Sequence, residues 1–235
     1  MHMSAAAVLF DLDGTLIDTT ELILASCRHT FDRHLRGGCP SREALIATFG
    51  RSLPELLLEL ALAESAPDPH AFAEEMLATY RVHNDEHHDA LIRPFPRVTP
   101  MLGSLERSGA RLGVVTSKRE GSARRGLARC GLESYFEVGV FHDDTARHKP
   151  HPEPLVEAAR RLEVSPREAF YVGDSVHDIA AGAAADMRTI AAAWGPFARG
   201  DLEAAGPDMI ADTPDEVLAI VRGAREGPRI ERRRS

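Results

Sequence analysis

The sequence predicts a doubly wound α/β fold, in which a parallel sheet is covered by helices on both faces. The first observation is a set of five short apolar runs spread along the 235 residues. These runs are residues 5–10, 111–116, 138–141, 169–173 and 189–193. The second observation is that amphipathic stretches lie between several of them, for example residues 153–164. Continuous apolar strands that alternate with helices are typical of a parallel sheet buried on both faces.

One segment interrupts the alternation of strands and helices. Residues 18–90 contain helical patterns and no strand candidate. The tetrapeptides DTTE at 18–21 and SLPE at 52–55 have the spacing of capping boxes, so a helix is expected to begin at each. A further long helix is expected over residues 68–88. We therefore predict a Rossmann-like core made of residues 1–17 and 91–235, with residues 18–90 inserted as a helical cap.

The composition and net charge indicate which kinds of binding partner to expect. The chain is 43% hydrophobic and has a formal net charge of -8 with a pI near 5.8, which disfavours nucleic acid and anionic membranes as partners. The basic stretch at residues 229–235 is the exception, and we expect it to be a solvated end. Three cysteines without a metal or redox spacing indicate reduced thiols, and no apolar run reaches the length of a membrane span. These features predict a cytoplasmic protein, either a monomer or a homodimer.

Polar residues follow four of the predicted strands. Asp11 and Asp13 follow the first run, Thr116 and Ser117 follow the second, and Lys149 comes after the third. The fourth run is followed by Asp174 and Asp178. Each motif alone has an ordinary explanation, such as a turn or a helix cap. Because the carboxyl ends of parallel strands meet at one edge of the sheet, we expect all of these side chains to converge there.

The four motifs resemble those of a known family. The stretches DLDGTLIDT, VVTSK, HKPHPEP and VGDSVHD resemble, in this order, the motifs of the haloacid dehalogenase superfamily. The likeness extends from about Val8 to Trp194, and the helical insert resembles the first type of cap domain in that superfamily. The closest branch is the phosphoglycolate phosphatase-like one, and the stretch GVFHDDTARHKPHPEP is also similar to its pyrophosphatase relatives.

The resemblance implies a Mg²⁺ site and a nucleophile. Two carboxylates placed one residue apart repel each other unless a cation holds them together. By resemblance, Asp11 and Asp174 supply carboxylate oxygens to Mg²⁺, Asp13 supplies its backbone carbonyl, and Asp178 acts from outside the ligand sphere. Asp11 is also expected to attack phosphorus and form an aspartyl-phosphate. Asp13 is expected to act as the acid and base, a residue that dehalogenase members typically lack.

The remaining site residues are expected to bind the phosphoryl group and the rest of the substrate. By resemblance, Thr116, Ser117 and Lys149 bind phosphate, with Thr116 and Lys149 also counted as catalytic. Arg51, directly after Gly50 in the insert, is a candidate contact for an anionic end of the substrate, and a surface arginine is an equally good explanation.

Several activities fit these residues. The main prediction is a Mg²⁺-dependent phosphatase that acts on a small phosphorylated metabolite similar to phosphoglycolate. A phosphosugar mutase similar to β-phosphoglucomutase and an inorganic pyrophosphatase use the same paired aspartates, so both remain alternatives. A receiver-like signalling domain also has a phospho-accepting aspartate on a doubly wound fold, but it would be shorter and would need neither the insert nor Asp13.

Overall fold

A six-stranded parallel sheet forms the centre of the protein. The computed structural model describes residues 7–226, so the basic stretch at 229–235 lies outside the described residues. The strands are β1 (Ala7–Phe10), β4 (Arg111–Val115), β5 (Val138–Val140), β6 (Ala169–Gly173), β7 (Arg188–Ala192) and β8 (Met209–Ala211). Their order across the sheet is β5-β4-β1-β6-β7-β8, and all neighbouring pairs are parallel. Strand β1 therefore lies in the interior of the sheet, next to β4 and β6.

Helices cover both faces of this sheet, which confirms the predicted fold class. The core helices are α5 (Val98–Arg107), α6 (Glu120–Arg129), α7 (Glu153–Arg161), α8 (Val176–Ala184), α9 (Arg199–Ala204) and α10 (Pro214–Glu226). Successive side chains of a strand point to opposite faces. Val8 and Phe10 of β1 accordingly pack in a cluster with α5, α6 and α10, whereas Ala7 and Leu9 pack in a second cluster with α7 and α8.

A helical insert leaves and re-enters the core through a short ribbon. Strand β2 (Ile17–Asp18) pairs antiparallel with β3 (Arg93–Pro94). Between them lie α1 (Thr20–His34), α2 (Arg42–Ile46), α3 (Leu53–Ala63) and α4 (Pro69–Leu91). Buried residues of these helices, among them Phe31, Leu57 and Met76, form a hydrophobic cluster of their own. The division into a core of 1–17 and 91–235 and a cap of 18–90 stays a prediction.

The two predicted capping boxes are not formed. Helices begin at Thr20 and Leu53, close to the expected positions, but neither Thr19 nor Ser52 receives a side-chain capping hydrogen bond. The Thr19 hydroxyl instead donates to Asp13 Oδ1 at 2.8 Å. The buried Ser52 hydroxyl has no hydrogen-bond partner among the described residues. At the start of α1 the Thr20 backbone N–H donates to Asp18 Oδ1 at 3.3 Å, so Asp18 lies one residue before the N-cap position that the predicted box gave it.

Three short strands were missed by the sequence pattern. Strands β2 and β3 contain two residues each, which is too short for any periodicity to show. Strand β8 has three residues, two of them only partly buried, at the edge of the sheet. Among the helices described, none combines the length and the apolar character of a membrane span.

The insert offers a direct test of its packing. Leu57 is 0% exposed and Leu62 is 59% exposed, and both lie on α3. We expect Leu57→Ala to lower the free energy of unfolding by about 2–5 kcal/mol, because it removes buried methyl groups and leaves a cavity. The matched control Leu62→Ala is expected to change it by less than about 0.5 kcal/mol. Urea unfolding followed by circular dichroism measures both, and equal losses would contradict the assignment of Leu57 to the core of the insert.

Candidate active site

The first functional side chains lie in a tight turn directly after β1. The Asp11 amide donates to the Val172 carbonyl at 2.9 Å, so the sheet ladder extends one residue past β1. The chain then folds back, with the Gly14 amide donating to the Ile17 carbonyl at 2.9 Å. Asp13 lies within this turn and is only partly buried. The turn therefore presents two carboxylates at the carboxyl edge of the sheet, one deeply buried and one facing the open side.

Lys149 connects three elements through its ammonium group. Its Nζ donates to Asp11 Oδ1 at 2.6 Å, to Asp178 Oδ1 at 2.7 Å and to the Tyr171 hydroxyl at 3.1 Å. The Lys149 side chain is 1% exposed. Burial alone disfavours an ammonium, but the charges of Asp11 and Asp178 raise the pKa of Lys149 well above its usual value. Lys149 is therefore a fixed positive charge beside Asp11.

Asp178 is fully occupied by partners from the protein. Its Oδ1 accepts hydrogen bonds from Lys149 and, at 2.9 Å, from the Tyr171 hydroxyl. Its Oδ2 accepts from the Ser175 backbone N–H at 3.1 Å and from the Ser175 hydroxyl at 2.6 Å. Although burial opposes ionisation, the charge of Lys149 and these hydrogen bonds hold the pKa of Asp178 below its usual value. Asp178 thus anchors Lys149 as an ionised carboxylate.

Asp174 lies close to Asp11 and accepts fewer hydrogen bonds than Asp178 does. Its Oδ1 accepts a hydrogen bond from the Thr15 hydroxyl at 2.8 Å. Burial and the charges of Asp11 and Asp178 raise the pKa of Asp174 well above its usual value. Burial, partly offset by Lys149, also raises the pKa of Asp11, to about 7. Both carboxyls are therefore in surroundings that are short of positive charge.

These carboxylates fit a divalent cation. Oxygen atoms of Asp11, Asp174 and Asp178 lie within 4.8 Å of one another. With Lys149 as their only near ammonium in the part of the chain described, the ionised cluster carries an excess of two negative charges. Hard divalent cations prefer such all-oxygen ligand sets. Since the protein already occupies both oxygens of Asp178, Asp11 and Asp174 are the better candidates for direct ligands. The predicted use of the Asp13 carbonyl stays a prediction.

Thr116 and Ser117 lie at the end of β4, as expected. The Thr116 amide continues the ladder to the Val140 carbonyl at 3.0 Å, and its hydroxyl accepts from the Lys118 backbone N–H at 3.2 Å. The Ser117 hydroxyl donates to the carbonyl of Gly50 at 3.0 Å and so ties the core to the insert. Lys118 extends to Asp13, with 2.6 Å between Nζ and Oδ1.

A cavity of about 620 Å³ lies between this edge of the sheet and the insert. Its polar end includes Asp11, Asp13 and Thr116, and its insert side includes apolar residues such as Leu56. Arg51 also lines the cavity, but its guanidinium is 2.5 Å from Glu59. The structure therefore brings the predicted residues of the core together and adds a cavity in which a small molecule can contact them.

Four contributors to the site escaped the sequence analysis as functional residues: Thr15, Lys118, Tyr171 and Ser175. Tyr171 lies within the apolar run 169–173 and was assigned to a strand, with no functional role. Lys118 is the last residue of the motif VVTSK and was given no role. A polar residue inside an otherwise apolar strand was the available signal for Tyr171, because a buried hydroxyl needs a hydrogen-bond partner.

Gly14 provides a test of the close packing around Asp174. Gly14 has φ +84°, and a Cβ there would lie 2.3 Å from Asp174 Oδ2. Gly109 has a similar φ of +76° with no atom within 4 Å of such a Cβ. Gly109→Ala should therefore show only the backbone cost, about 1–2 kcal/mol. Gly14→Ala should lose more stability and should also weaken the binding of a divalent cation, tested with Mg²⁺, because Asp174 must move.

Urea unfolding and Mg²⁺ titration calorimetry measure the two effects. Equal stability losses, together with unchanged Mg²⁺ affinity in Gly14→Ala, would show that the contact with Asp174 is unimportant.

Comparison with known proteins agrees with this geometry. Residues 8–192 match the family model of haloacid dehalogenase-like hydrolases. Pyrophosphatase PpaX of Bacillus pumilus is 42% identical to the chain over 214 residues, which cover 91% of this chain and 95% of the relative. The match thus extends through both the core and the insert.

Solved structures give the same result. A proposed haloacid dehalogenase-like hydrolase from Bacteroides fragilis has a TM-score of 0.81 and 27% identity, with 91% of this chain and 100% of the other covered. A proposed phosphoglycolate phosphatase from Lactobacillus plantarum has a TM-score of 0.77 and 26% identity, with 92% and 99% covered. The chain belongs to the haloacid dehalogenase-like hydrolase family.

Proposed function

We propose that the protein is a Mg²⁺-dependent phosphohydrolase that cleaves a small phosphorylated metabolite through an aspartyl-phosphate. The observation that carries this proposal is the pair formed by Asp11 and Lys149, 2.6 Å apart and buried, at the polar end of the cavity. A carboxylate held beside a fixed positive charge is suited to attack an anionic phosphoryl group, because the charge offsets the repulsion between the two anions.

In the first half of the reaction, Asp11 attacks. An oxygen of its carboxylate forms a bond to phosphorus while the bond from phosphorus to the leaving oxygen breaks. Lys149 stays charged throughout, because Asp178 holds it from the other side at 2.7 Å. When bound by Asp11 and Asp174, Mg²⁺ supplies further positive charge at the phosphoryl oxygens.

Asp13 transfers the proton in both halves. It donates a proton to the leaving oxygen and later takes one from the water that hydrolyses the aspartyl-phosphate. Thr19 and Lys118 both donate to its Oδ1, at 2.8 Å and 2.6 Å. We therefore assign the transferred proton to Oδ2, the oxygen that these two donors leave available.

Thr116 and Ser117 bind the phosphoryl oxygens in different ways. The Thr116 hydroxyl accepts a hydrogen bond from the Lys118 amide, so its own proton can be donated to phosphate. The Ser117 hydroxyl proton is directed at the Gly50 carbonyl. For Ser117 we therefore propose that the backbone N–H binds the phosphate and that the side chain fixes the position of the insert.

Two substrates have specific support. The similarity to a proposed phosphoglycolate phosphatase favours a small phosphomonoester, and the 42% identity to a pyrophosphatase favours inorganic pyrophosphate. The same Asp11 chemistry accounts for both. The phosphosugar mutase stays an alternative, whereas membership of a hydrolase family gives no support to the receiver-like signalling domain.

The nucleophile assignment predicts the behaviour of Asp11→Asn. Because an amide oxygen is a far weaker nucleophile than a carboxylate, phosphate release should fall by roughly 10³-fold or more. Phosphate binding should survive in part, since Thr116 and Lys149 remain. A phosphate-release assay and calorimetry with inorganic phosphate measure these effects. Asp186→Asn, at an exposed position with φ 60°, is the control and should keep normal turnover. Turnover by Asp11→Asn at the normal rate would rule out the assignment.

A substrate panel tests the metal requirement and the reaction type. Phosphoglycolate, pyrophosphate, hexose phosphates and nucleotides are incubated with Mg²⁺ and, in parallel, with a chelator. We expect at least one to release phosphate with Mg²⁺, to stop when the ion is chelated and to resume when excess Mg²⁺ is added. Conversion of a hexose phosphate to its isomer without release of phosphate would identify a mutase. Comparable hydrolysis in the presence of the chelator would contradict the proposed metal site.

A further inference from the structure

The charges that line the cavity are almost all paired with an opposite charge. Among the described residues the pairs are Asp11 with Lys149 (2.6 Å), Asp13 with Lys118 (2.6 Å), Arg51 with Glu59 (2.5 Å), Asp85 with Arg125 (3.6 Å) and Arg119 with Asp143 (3.8 Å). Arg81 also lines the cavity, and within residues 7–226 it forms neither an ion pair nor a side-chain hydrogen bond. Within residues 7–226 it is therefore the one guanidinium lining the cavity that has no carboxylate partner, and Arg119 has only the distant pair with Asp143, 3.8 Å away.

The position of Arg81 also makes it a good anion binder. It lies on α4 of the insert, is partly buried, and lines the same cavity as Arg119 of the core. Burial and the charge of Arg119 lower the pKa of Arg81, and the acids Glu74, Asp143 and Asp85 offset this only in part. A partly desolvated guanidinium near a second one is stabilised when an anion binds between or beside them.

We infer that Arg81 binds a negatively charged group carried by the leaving portion of the substrate. This inference rests on the proposed function, because it divides one substrate between two ends of the same cavity. The phosphoryl group that is transferred lies at Asp11 and Lys149, and the second anion lies at Arg81. The substrate class is then a phosphate ester or anhydride whose leaving group is itself an anion. A carboxylate and a second phosphoryl group both satisfy this description, since both accept hydrogen bonds from a guanidinium in a bidentate way.

Arg81 replaces Arg51 as the specificity residue in this assignment. Arg51 was the sequence-based candidate, but its guanidinium is taken up by Glu59 at 2.5 Å. The position of Arg81 toward the cavity depends on how α4 packs on α1 and α3, which local sequence does not reveal.

Three probes separate the possible anions. Phosphoglycolate carries a carboxylate on its leaving group, pyrophosphate carries a phosphoryl group, and 2-hydroxyethyl phosphate is a neutral analogue of the first. Their dissociation constants are measured by calorimetry with Mg²⁺ present, in the Asp11→Asn protein and in the same protein with Arg81→Gln added. Phosphate release is measured separately in proteins with Asp11 intact. Arg167→Gln is the control, since this exposed arginine pairs with Asp186 and does not line the cavity.

We expect Arg81→Gln to reduce the preference for an anionic probe over 2-hydroxyethyl phosphate by roughly 10-fold or more, the size of one lost charge-assisted hydrogen bond. Arg81→Lys should restore part of it, and Arg167→Gln should not alter it. Loss for phosphoglycolate alone assigns a carboxylate, and loss for pyrophosphate alone assigns a phosphoryl group. An unchanged preference, or an equal loss for all three probes, would overturn the inference. Absence of phosphate release from every compound of the substrate panel would instead refute the proposed function, because the binding preference is measured without turnover.

Discussion

The buried ammonium of Lys149 is the interaction on which the rest of the site depends. It lies between Asp11 at 2.6 Å and Asp178 at 2.7 Å, and the three side chains come from distant parts of the chain. A buried carboxylate without a counter-charge would take up a proton, and a protonated Asp11 would be unsuited to the nucleophilic role that we propose for it. The hydrogen bonds from Tyr171 and Ser175 to Asp178 matter for the same reason, because they keep the anchor of Lys149 ionised. The main feature of this edge of the sheet is therefore that the charge of Lys149 compensates the charges of Asp11 and Asp178.

The register of the central strands brings these charges together. Phe10 of β1 pairs with Val172 of β6, so the residues that follow, Asp11 on one strand and Gly173 and Asp174 on the other, emerge side by side. On its other side β1 pairs with β4, whose end delivers Thr116. Close packing then completes the arrangement, since a Cβ at Gly195 would lie 2.4 Å from the Cβ of Asp174. The carboxylates of Asp11 and Asp174, which repel each other, are thus held in place by the backbone of two strands. Glycines at positions 14 and 195 leave the space that Asp174 occupies.

A site residue could be predicted from the sequence where its position depends on a local pattern, and could not where it depends on tertiary packing. The positions of Asp11, Asp174 and Thr116 follow from strand ends, and strand ends can be recognised from short apolar runs. Tyr171 was missed because the apolar run at residues 169–173 indicates a buried strand. That pattern does not reveal that the Tyr171 hydroxyl also forms hydrogen bonds in the site. Arg81 was missed because the direction of a surface-like arginine on a long helix depends on how that helix packs, which is a tertiary property. The capping box expected at residues 18–21 failed for a local reason, since the helix begins at Thr20 and Asp18 lies one residue before the N-cap.

The contact between the insert and the core lets the selectivity and the chemistry that we propose share one cavity. The insert packs much of its apolar surface within its own cluster, so the position of Arg81 is set mainly by α1, α3 and α4. One of its links to the core lies at Gly50, whose carbonyl accepts from Ser117 and where a Cβ would lie 2.8 Å from Ser175 Oγ. That hydroxyl donates to Asp178, which in turn holds Lys149. The turn at Gly50 therefore rests directly on the anchor of the buried ammonium. A displacement of this turn would reach Lys149 through two hydrogen bonds, whereas a change of side chain at Arg81 would alter what the cavity binds and leave that path intact.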